Sequence, residues 1–96
     1  MNDDFFAAPQ FKAADALVGL KRQLRDLKLA ERGAAFELRG KRVVELALED
    51  NSVQLKLARR RMLTPEWDRM ALNSAAEVRK ATDEIKKRLA RWEQEE

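Results

Sequence analysis

The sequence predicts an α+β fold in the order α-β-β-β-α, a three-stranded antiparallel meander with two long helices packed on one face. Two observations carry this prediction. Residues 34–61 alternate apolar and polar side chains with period two, whereas the segments on both sides repeat with helical period. A chain of 96 residues supplies one modest hydrophobic core. We therefore expect a flexible N-terminal tail at residues 1–8 and a single α+β domain at residues 9–96.

The first helix is predicted to run from Pro9 to about Arg32. Proline suits the first turn of a helix, where its missing N–H is not needed. Gly33 stands where a left-handed residue would end the helix. The apolar face of this helix is a seam of leucines spaced three or four residues apart, at Leu17, Leu20, Leu24 and Leu27.

The second hairpin of the meander has a predictable register. Its tip is Asp50-Asn51, because both residue types tolerate positive φ in a two-residue turn. This tip brings all the apolar side chains of the two strands to one face, and it sets Glu45 opposite Lys56 on the other face. The predicted apolar pairs are Leu48 with Val53, Leu46 with Leu55 and Val44 with Leu57.

The first turn, around Gly40, needs a change of register. Phe36 and Leu38 must share a face with Val44 and Leu46 if the sheet has a single apolar side. That arrangement requires an odd number of connecting residues, so we expect a three-residue loop or a glycine bulge.

The segment after the strands has two interpretations. Thr64-Pro65-Glu66 has the pattern of a helix start, so one helix could run from Pro65 to about Gln94. However, Ser74-Ala75-Ala76-Glu77 is itself a capping box. The helix could therefore restart at this box after a short helical turn at residues 65–72.

Trp67 and Trp92 supply the argument for self-association. On one unbroken helix they would lie roughly 37 Å apart, at about 1.5 Å per residue, whereas a strand of seven residues spans only about 23 Å. One tryptophan would then lie beyond the sheet, where the first helix or a second copy of the chain would cover it. A homodimer is the expected result.

The composition excludes several kinds of chemistry. The chain has no cysteine and no histidine, so disulfides, zinc fingers and thiol or imidazole catalysis are excluded. Its three glycines are too far apart to form a phosphate-binding loop, and the carboxylate pairs Glu49-Asp50 and Asp83-Glu84 imply no partner group that would shift a pKa. We therefore expect no enzymatic activity, no cofactor, no metal site and no small-molecule substrate.

The N-terminus and the hydropathy pattern predict a cytoplasmic protein. The opening MNDDFFAAPQ is acidic where a signal peptide would be basic. No window approaches the roughly 20 apolar residues of a membrane span. No association with a membrane is expected.

Two clusters of basic side chains are candidate contacts for phosphate or nucleic acid. In an antiparallel meander the start of the second strand lies beside the end of the third, so the two clusters should be neighbours at one edge. Such an edge could bind nucleic acid with salt-dependent affinity. We favour the simpler interpretation that solvated basic strand ends discourage edge pairing and balance nearby acids. The clusters consist of Arg39, Lys41, Arg42, Arg59, Arg60 and Arg61.

Apolar residues outside the leucine seam point to a protein interaction. Phe5 and Phe6 either fold back over the end of the core or form a short docking motif, and Leu29 and Trp92 are the other candidate protein contacts. The sequence thus predicts a small non-enzymatic interaction module, whose partner is another protein, a second copy of itself, or both. Nucleic-acid binding at the basic edge is the alternative. No motif identifies the partner or the biological process.

Overall fold

The architecture is an antiparallel β-sheet with one helix before it and one after it. The computed structural model describes residues 10–62 and 65–95, so the expected tail at residues 1–8 lies outside the described residues. The elements in chain order are α1 (Ala13–Asp26), β1 (Ala30–Arg32), β2 (Ala35–Leu38), β3 (Lys41–Glu49), β4 (Ser52–Ala58), β5 (Trp67–Leu72) and α2 (Ala75–Gln94).

The α+β class is confirmed, but the prediction of a three-stranded sheet is wrong. The sheet has five strands in the order β1-β2-β3-β4-β5. Each strand is antiparallel to its neighbours. The two additional strands lie at its edges, and both come from segments that the sequence pattern assigned to helices.

The first helix is shorter than predicted. It ends at Asp26, and Lys28 adopts the left-handed conformation, with φ of 71°. The sequence predicted that Gly33 would have this role. The Lys28 N–H donates to the carbonyl oxygen of Arg25, which closes the last turn. Gly33, with φ of 61°, instead lies in the turn between β1 and β2. β1 has only three residues, too few for an alternating pattern to be recognised.

The register change near Gly40 occurs inside the strand rather than in the turn. Arg39 and Gly40 form a two-residue tip, and both have positive φ, 54° and 82°. Phe36 pairs with Val44, so the two share a face as expected, and Val43 is the extra residue of a β-bulge. The predicted change of register therefore exists, but it is made by a bulge at Val43 and by neither a three-residue loop nor a glycine bulge.

The predicted register of the β3–β4 hairpin is confirmed. Asp50 has φ of 54°, as expected for a residue at the tip. Glu45 and Lys56 are opposite each other, with 3.9 Å between Glu45 Oε1 and Lys56 Nζ. The three apolar pairs are Leu48 with Val53, Leu46 with Leu55 and Val44 with Leu57.

Both helical interpretations of residues 65–72 are wrong, because residues 67–72 form β5. This strand pairs along β4 from Ala58 opposite Trp67 to Val53 opposite Leu72. Met70 lies opposite Leu55, so its side chain extends the apolar face of β4. The pairing requirement of β4 outweighs the local helix-start pattern. Thr64, the predicted cap, lies outside the described residues.

The predicted restart of the helix at Ser74 is confirmed. Ser74 Oγ accepts a hydrogen bond from the Glu77 N–H at 3.2 Å, and Glu77 Oε1 accepts one from the Asn73 N–H at 2.7 Å. α2 then continues to Gln94. Because Trp67 lies on β5 and Trp92 on α2, the size argument that favoured self-association no longer applies.

The hydrophobic core joins the sheet to both helices. α1 contacts β3 and β4, and α2 contacts β5 and α1. The two helices run in the same direction, since residues 11–16 lie near residues 74–79 and Leu27 lies near Leu89. Between these points Thr82 Oγ1 donates to Gln23 Oε1 at 3.2 Å. The largest fully buried side chains are Trp92, Phe36, Leu20, Leu24, Leu55, Leu57 and Ile85.

Asn51, at the tip of the β3–β4 hairpin, holds the start of α1. Lys12 occupies the N-cap position of α1 but makes no side-chain capping hydrogen bond. Asn51 Oδ1 accepts from the Ala13 N–H at 2.9 Å, and Asn51 Nδ2 donates to the Phe11 carbonyl oxygen at 2.9 Å. The hairpin tip thus supplies the cap that the helix sequence lacks.

Replacing Asn51 with Ala is expected to lower the free energy of unfolding by about 1–2 kcal/mol, the typical cost of losing an N-cap. Asn51→Asp keeps the acceptor but loses the donor, so its effect should be smaller. Denaturant unfolding measures both. Asn73→Ala, which removes an exposed asparagine side chain before α2, is the control and should change stability by less than about 0.5 kcal/mol. Equal effects of Asn51→Ala and Asn73→Ala would contradict the capping role.

Candidate interaction surfaces

Arg88 on α2 is the centre of an ion-pair network that ties this helix to the sheet. Its side chain is only 13% exposed. The guanidinium donates to Glu84 Oε2 at 2.8 Å and to the Ala58 carbonyl oxygen at 3.0 Å, and it lies 2.8 Å from Asp68 Oδ2. Asp68 also accepts from Arg59 Nε at 2.7 Å. The network therefore links α2 to the end of β4 and to β5.

The same network makes its carboxylates more acidic. The hydrogen bond from Arg59, followed by that from Arg88, lowers the pKa of Asp68 below its ordinary value of 3.8. The hydrogen bond from Arg88 lowers the pKa of Glu84 below its ordinary value of 4.5, so the expectation that no group shifts the pKa of this carboxylate is wrong. A carboxylate whose pKa is lower in the folded state stabilises the fold above its ordinary pKa, and this stabilisation is lost as pH falls through the folded-state value. The network is therefore complete at neutral pH.

The basic residues lie together where β3 begins and β4 ends, and several of them are paired with acidic side chains. The β3–β4 register brings the first residues of β3 beside the residues that follow β4. Arg42 donates to Glu45 Oε2 at 3.1 Å. Arg59 lies 2.7 Å from Asp68 and 3.8 Å from Glu66, and these contacts raise its pKa, chiefly through the Asp68 hydrogen bond. Arg39 and Arg61 also have interaction partners, Lys41 is partly buried, and Arg60 is exposed.

Arg59 and Arg60 also border a pocket at the C-terminal end of α2. Arg91 and Glu95 line the same pocket, and Arg91 donates to the Arg59 carbonyl oxygen at 3.3 Å. A helix C-terminus carries a partial negative charge, and Glu95 adds a full one. These two negative charges weaken the attraction of the basic strand ends for an anion. They favour the interpretation that the basic residues are solvated strand ends whose charge is balanced by nearby acids.

The four candidate protein-contact residues have different locations. Leu29 and Trp92 belong to the hydrophobic core, with 4% and 1% of their surfaces exposed. Both residues lie outside the leucine seam in the sequence because they belong to other parts of the same core. Since they are buried, they are not part of the exposed surface of this chain. Phe5 and Phe6 lie outside the described residues.

A cleft between β5 and α2 is a candidate contact surface that the sequence did not indicate. It has a volume of about 370 Å³. Met70 and Leu72 form its apolar base, and Ala71 is exposed at the strand. Glu77, Lys80 and Glu84 of α2 line the opposite side. The cleft thus has an apolar centre with charges of both signs on one wall.

The cleft lies beside the longer of the two sheet edges. Among the described residues, no strand pairs with the outer side of β1 or of β5. β1 has three residues, all exposed, and two of them are charged; a short, charged edge strand resists pairing with another strand. β5 has six residues and contains neither proline nor a bulge. Within residues 10–62 and 65–95, the outer backbone N–H and C=O groups of β5 therefore have no strand partner along an extended edge.

The signal for β5 was present in the sequence but incomplete. Asp68, Met70 and Leu72 share the face of the sheet that carries Leu57 and Leu55. Asp68 interrupts the alternation of apolar and polar side chains that would predict a strand. Its negative charge is compensated by Arg88, which lies on a helix distant in sequence. The Glu84–Arg88 spacing of four residues was the one local indication of this network.

Residues 10–62 and 65–95 contain two helices, α1 and α2. Neither of their helices combines the length and the hydropathy that a bilayer span requires. Their acidic side chains form no group of three or more that could hold a metal ion. Comparison with protein-family models, with curated proteins and with solved structures finds no match for this chain.

Proposed function

We propose that this chain is a non-enzymatic protein-interaction module that self-associates by pairing its β5 with β5 of a second copy. The observation that carries the proposal is the six-residue edge of β5 beside the β5–α2 cleft, with which no strand of the described residues pairs. Antiparallel pairing of two such edges would join two five-stranded sheets into one of ten strands. Addition of a strand at an exposed edge is a common mode of protein recognition.

The charges on β5 select one register for this pairing. In an antiparallel pair, residues directly opposite each other point to the same face of the sheet. When a two-fold axis relates the two strands, opposite residues must therefore be an even number of positions apart in the sequence. The residue at the axis then lies opposite its own copy. Two registers keep five residues of each strand paired, and they centre on Arg69 and on Met70. The first sets two Arg69 side chains against each other, which is unfavourable. The second sets Met70 against Met70 and Arg69 against Ala71, so we propose the Met70 register.

Edge charges do not prevent this pairing. The charge of Asp68 is already compensated by Arg88 and Arg59. In the Met70 register Asp68 lies opposite Leu72 of the second copy, away from the carboxylate of its own counterpart. The α2 wall of the cleft carries Lys80 between Glu77 and Glu84, so two antiparallel copies can set opposite charges against each other.

The proposal also requires both helices to cover the same face of the sheet, so that the outer edge of β5 stays open to the second copy. The contacts of α1 with β3 and β4, those of α2 with β5, and the contact between the helices support this arrangement. A second copy is favoured over nucleic acid as the partner because Arg42 and Arg59 of the basic edge are paired with carboxylates.

Sedimentation equilibrium over a concentration series tests the proposal, and a monomer–dimer equilibrium is expected. Ala71→Arg sets an arginine opposite Arg69 twice in the symmetric dimer and should raise the dimer Kd several-fold to about 30-fold. Ala71→Glu creates an opposite-charge pair and should lower the Kd. Ala71 is exposed and lies at the edge, so neither change should disturb the core.

The control is Ala30→Arg, which places the same charge on the exposed edge strand β1 and should leave the Kd unchanged. A chain that stays monomeric at all concentrations would rule out the proposal. A dimer whose Kd responds equally to Ala71→Arg and Ala71→Glu would place the interface elsewhere and would also overturn it.

A further inference from the structure

The first turns of α1 and α2 enclose an apolar groove, separate from the β5–α2 cleft. It has a volume of about 740 Å³. Phe11 and Ala16 line one side, and Ala75 and Val78 line the other. Phe11, Ala16 and Val78 pack against the core from outside and are only partly buried. The groove therefore continues the hydrophobic core to the surface.

The rim of the groove favours negative charge. Lys12 and Arg79 line it, against a single acid, Asp15. Both helices also begin here, at Ala13 and Ala75, and helix N-termini carry partial positive charge. A segment that combines apolar side chains with carboxylates would complement both the base and the rim.

Residues 1–9 have this composition, and they reach the described chain at the groove itself. Gln10, the first described residue, is one of the residues that line the groove. Phe5 and Phe6 follow Asp3 and Asp4. The four steps from Phe6 to Gln10 span at most about 14 Å when extended, and the five steps from Phe5 span at most about 18 Å, so both aromatic side chains are within reach of the groove.

We propose that the groove is the docking site for the chain's own N-terminal segment, with Phe5 and Phe6 on the apolar base and Asp3 and Asp4 toward Lys12 and Arg79. The segment thereby covers the apolar surface between the two helix starts. This inference involves a different surface from the proposed dimer and does not depend on it.

An introduced cysteine provides a direct test, because the chain has no cysteine of its own. Ala75→Cys places a thiol in the groove, and Ala90→Cys places one at an exposed position of α2 outside it. The rate of reaction with a chromogenic disulfide reagent is then measured with and without Phe5→Ala/Phe6→Ala. Loss of the two phenyl rings should accelerate labelling several-fold at position 75 and leave the rate at position 90 unchanged.

Thermal unfolding is the second measurement. Phe5→Ala/Phe6→Ala should lower Tm by about 5–15 °C, as expected when two aromatic side chains lose partial burial in a small domain. Unchanged labelling at position 75 together with an unchanged Tm would overturn the inference. Protection that increases with protein concentration would assign the groove to the segment of a second copy and would overturn the intramolecular docking. Ala71→Arg should leave the protection unaffected, which separates this result from that of the proposed dimer.

Discussion

Replacing Arg88 with Met is expected to lower the free energy of unfolding by about 2–4 kcal/mol. The methionine keeps most of the aliphatic stem but removes every donor. The Ala58 carbonyl oxygen loses its hydrogen bond from the helix, and Asp68 and Glu84 lose a cation at 2.8 Å. The loss is large because the Arg88 side chain is mostly shielded from water, so solvent replaces the broken contacts poorly. Urea or guanidinium unfolding measures the change.

The pH dependence distinguishes loss of the network from general loss of packing. In the unmodified chain, stability should fall as pH drops below the ordinary pKa values of 4.5 and 3.8, because Glu84 and Asp68 have lowered values in the folded state. Arg88→Met should flatten this decline. Lys86→Met, an exposed change on the same helix, is the matched control and should alter neither stability nor pH profile. An undiminished acid decline in Arg88→Met would contradict the assigned role.

Replacing Trp92 with Ala is expected to cost about 3–5 kcal/mol, the usual cost of truncating a buried aromatic side chain to alanine. Trp92 is 1% exposed and belongs to the core cluster near the end of α2. The cost is comparable to the whole stability of a marginal small domain. Trp92→Phe, which retains an aromatic ring, should lose less and remain folded. Calorimetry and denaturant unfolding can rank the two variants.

Val18→Ala provides the matched control for Trp92. Val18 lies on α1 with 58% of its surface exposed, so its truncation should change stability by less than about 0.5 kcal/mol. If Trp92 were instead a contact for a partner, Trp92→Ala would leave Tm near that of the unmodified chain and would alter only association. That outcome would contradict the placement of Trp92 in the core.

The parts of the fold that the sequence predicts are those determined by local patterns. The register of the β3–β4 hairpin follows from a turn dipeptide and two alternating strands, and the start of α2 follows from the Ser74–Glu77 capping box. A change of register between β2 and β3 could be predicted, because Phe36 and Val44 must share a face of the sheet. The position of the bulge could not be predicted. The conformation of a segment was therefore predictable where its neighbours in the sequence determine it.

The two edge strands were not predictable, because tertiary contacts determine them. β1 has three exposed residues and no pattern of its own. β5 contains Asp68 on the apolar side, and its charge is compensated by Arg59 and by Arg88, which lies twenty residues later on α2. For the same reason the cleft between β5 and α2 could not be anticipated. Trp92 and Leu29 were interpreted as surplus apolar residues because the sequence does not show how far the core extends.

The meander topology has a consequence for the order of folding. Every strand pairs with the strand next to it in sequence, so the sheet can assemble by closing short loops, each at small entropic cost. Gln23 and Thr82, which join the two helices, are 59 residues apart. Docking of the helices on each other is therefore expected after the rate-limiting step. Arg88 joins α2 to Ala58, 30 residues earlier in the chain, so this contact is also expected to form late. Arg88→Met should therefore act mainly by accelerating unfolding while refolding stays near its original rate.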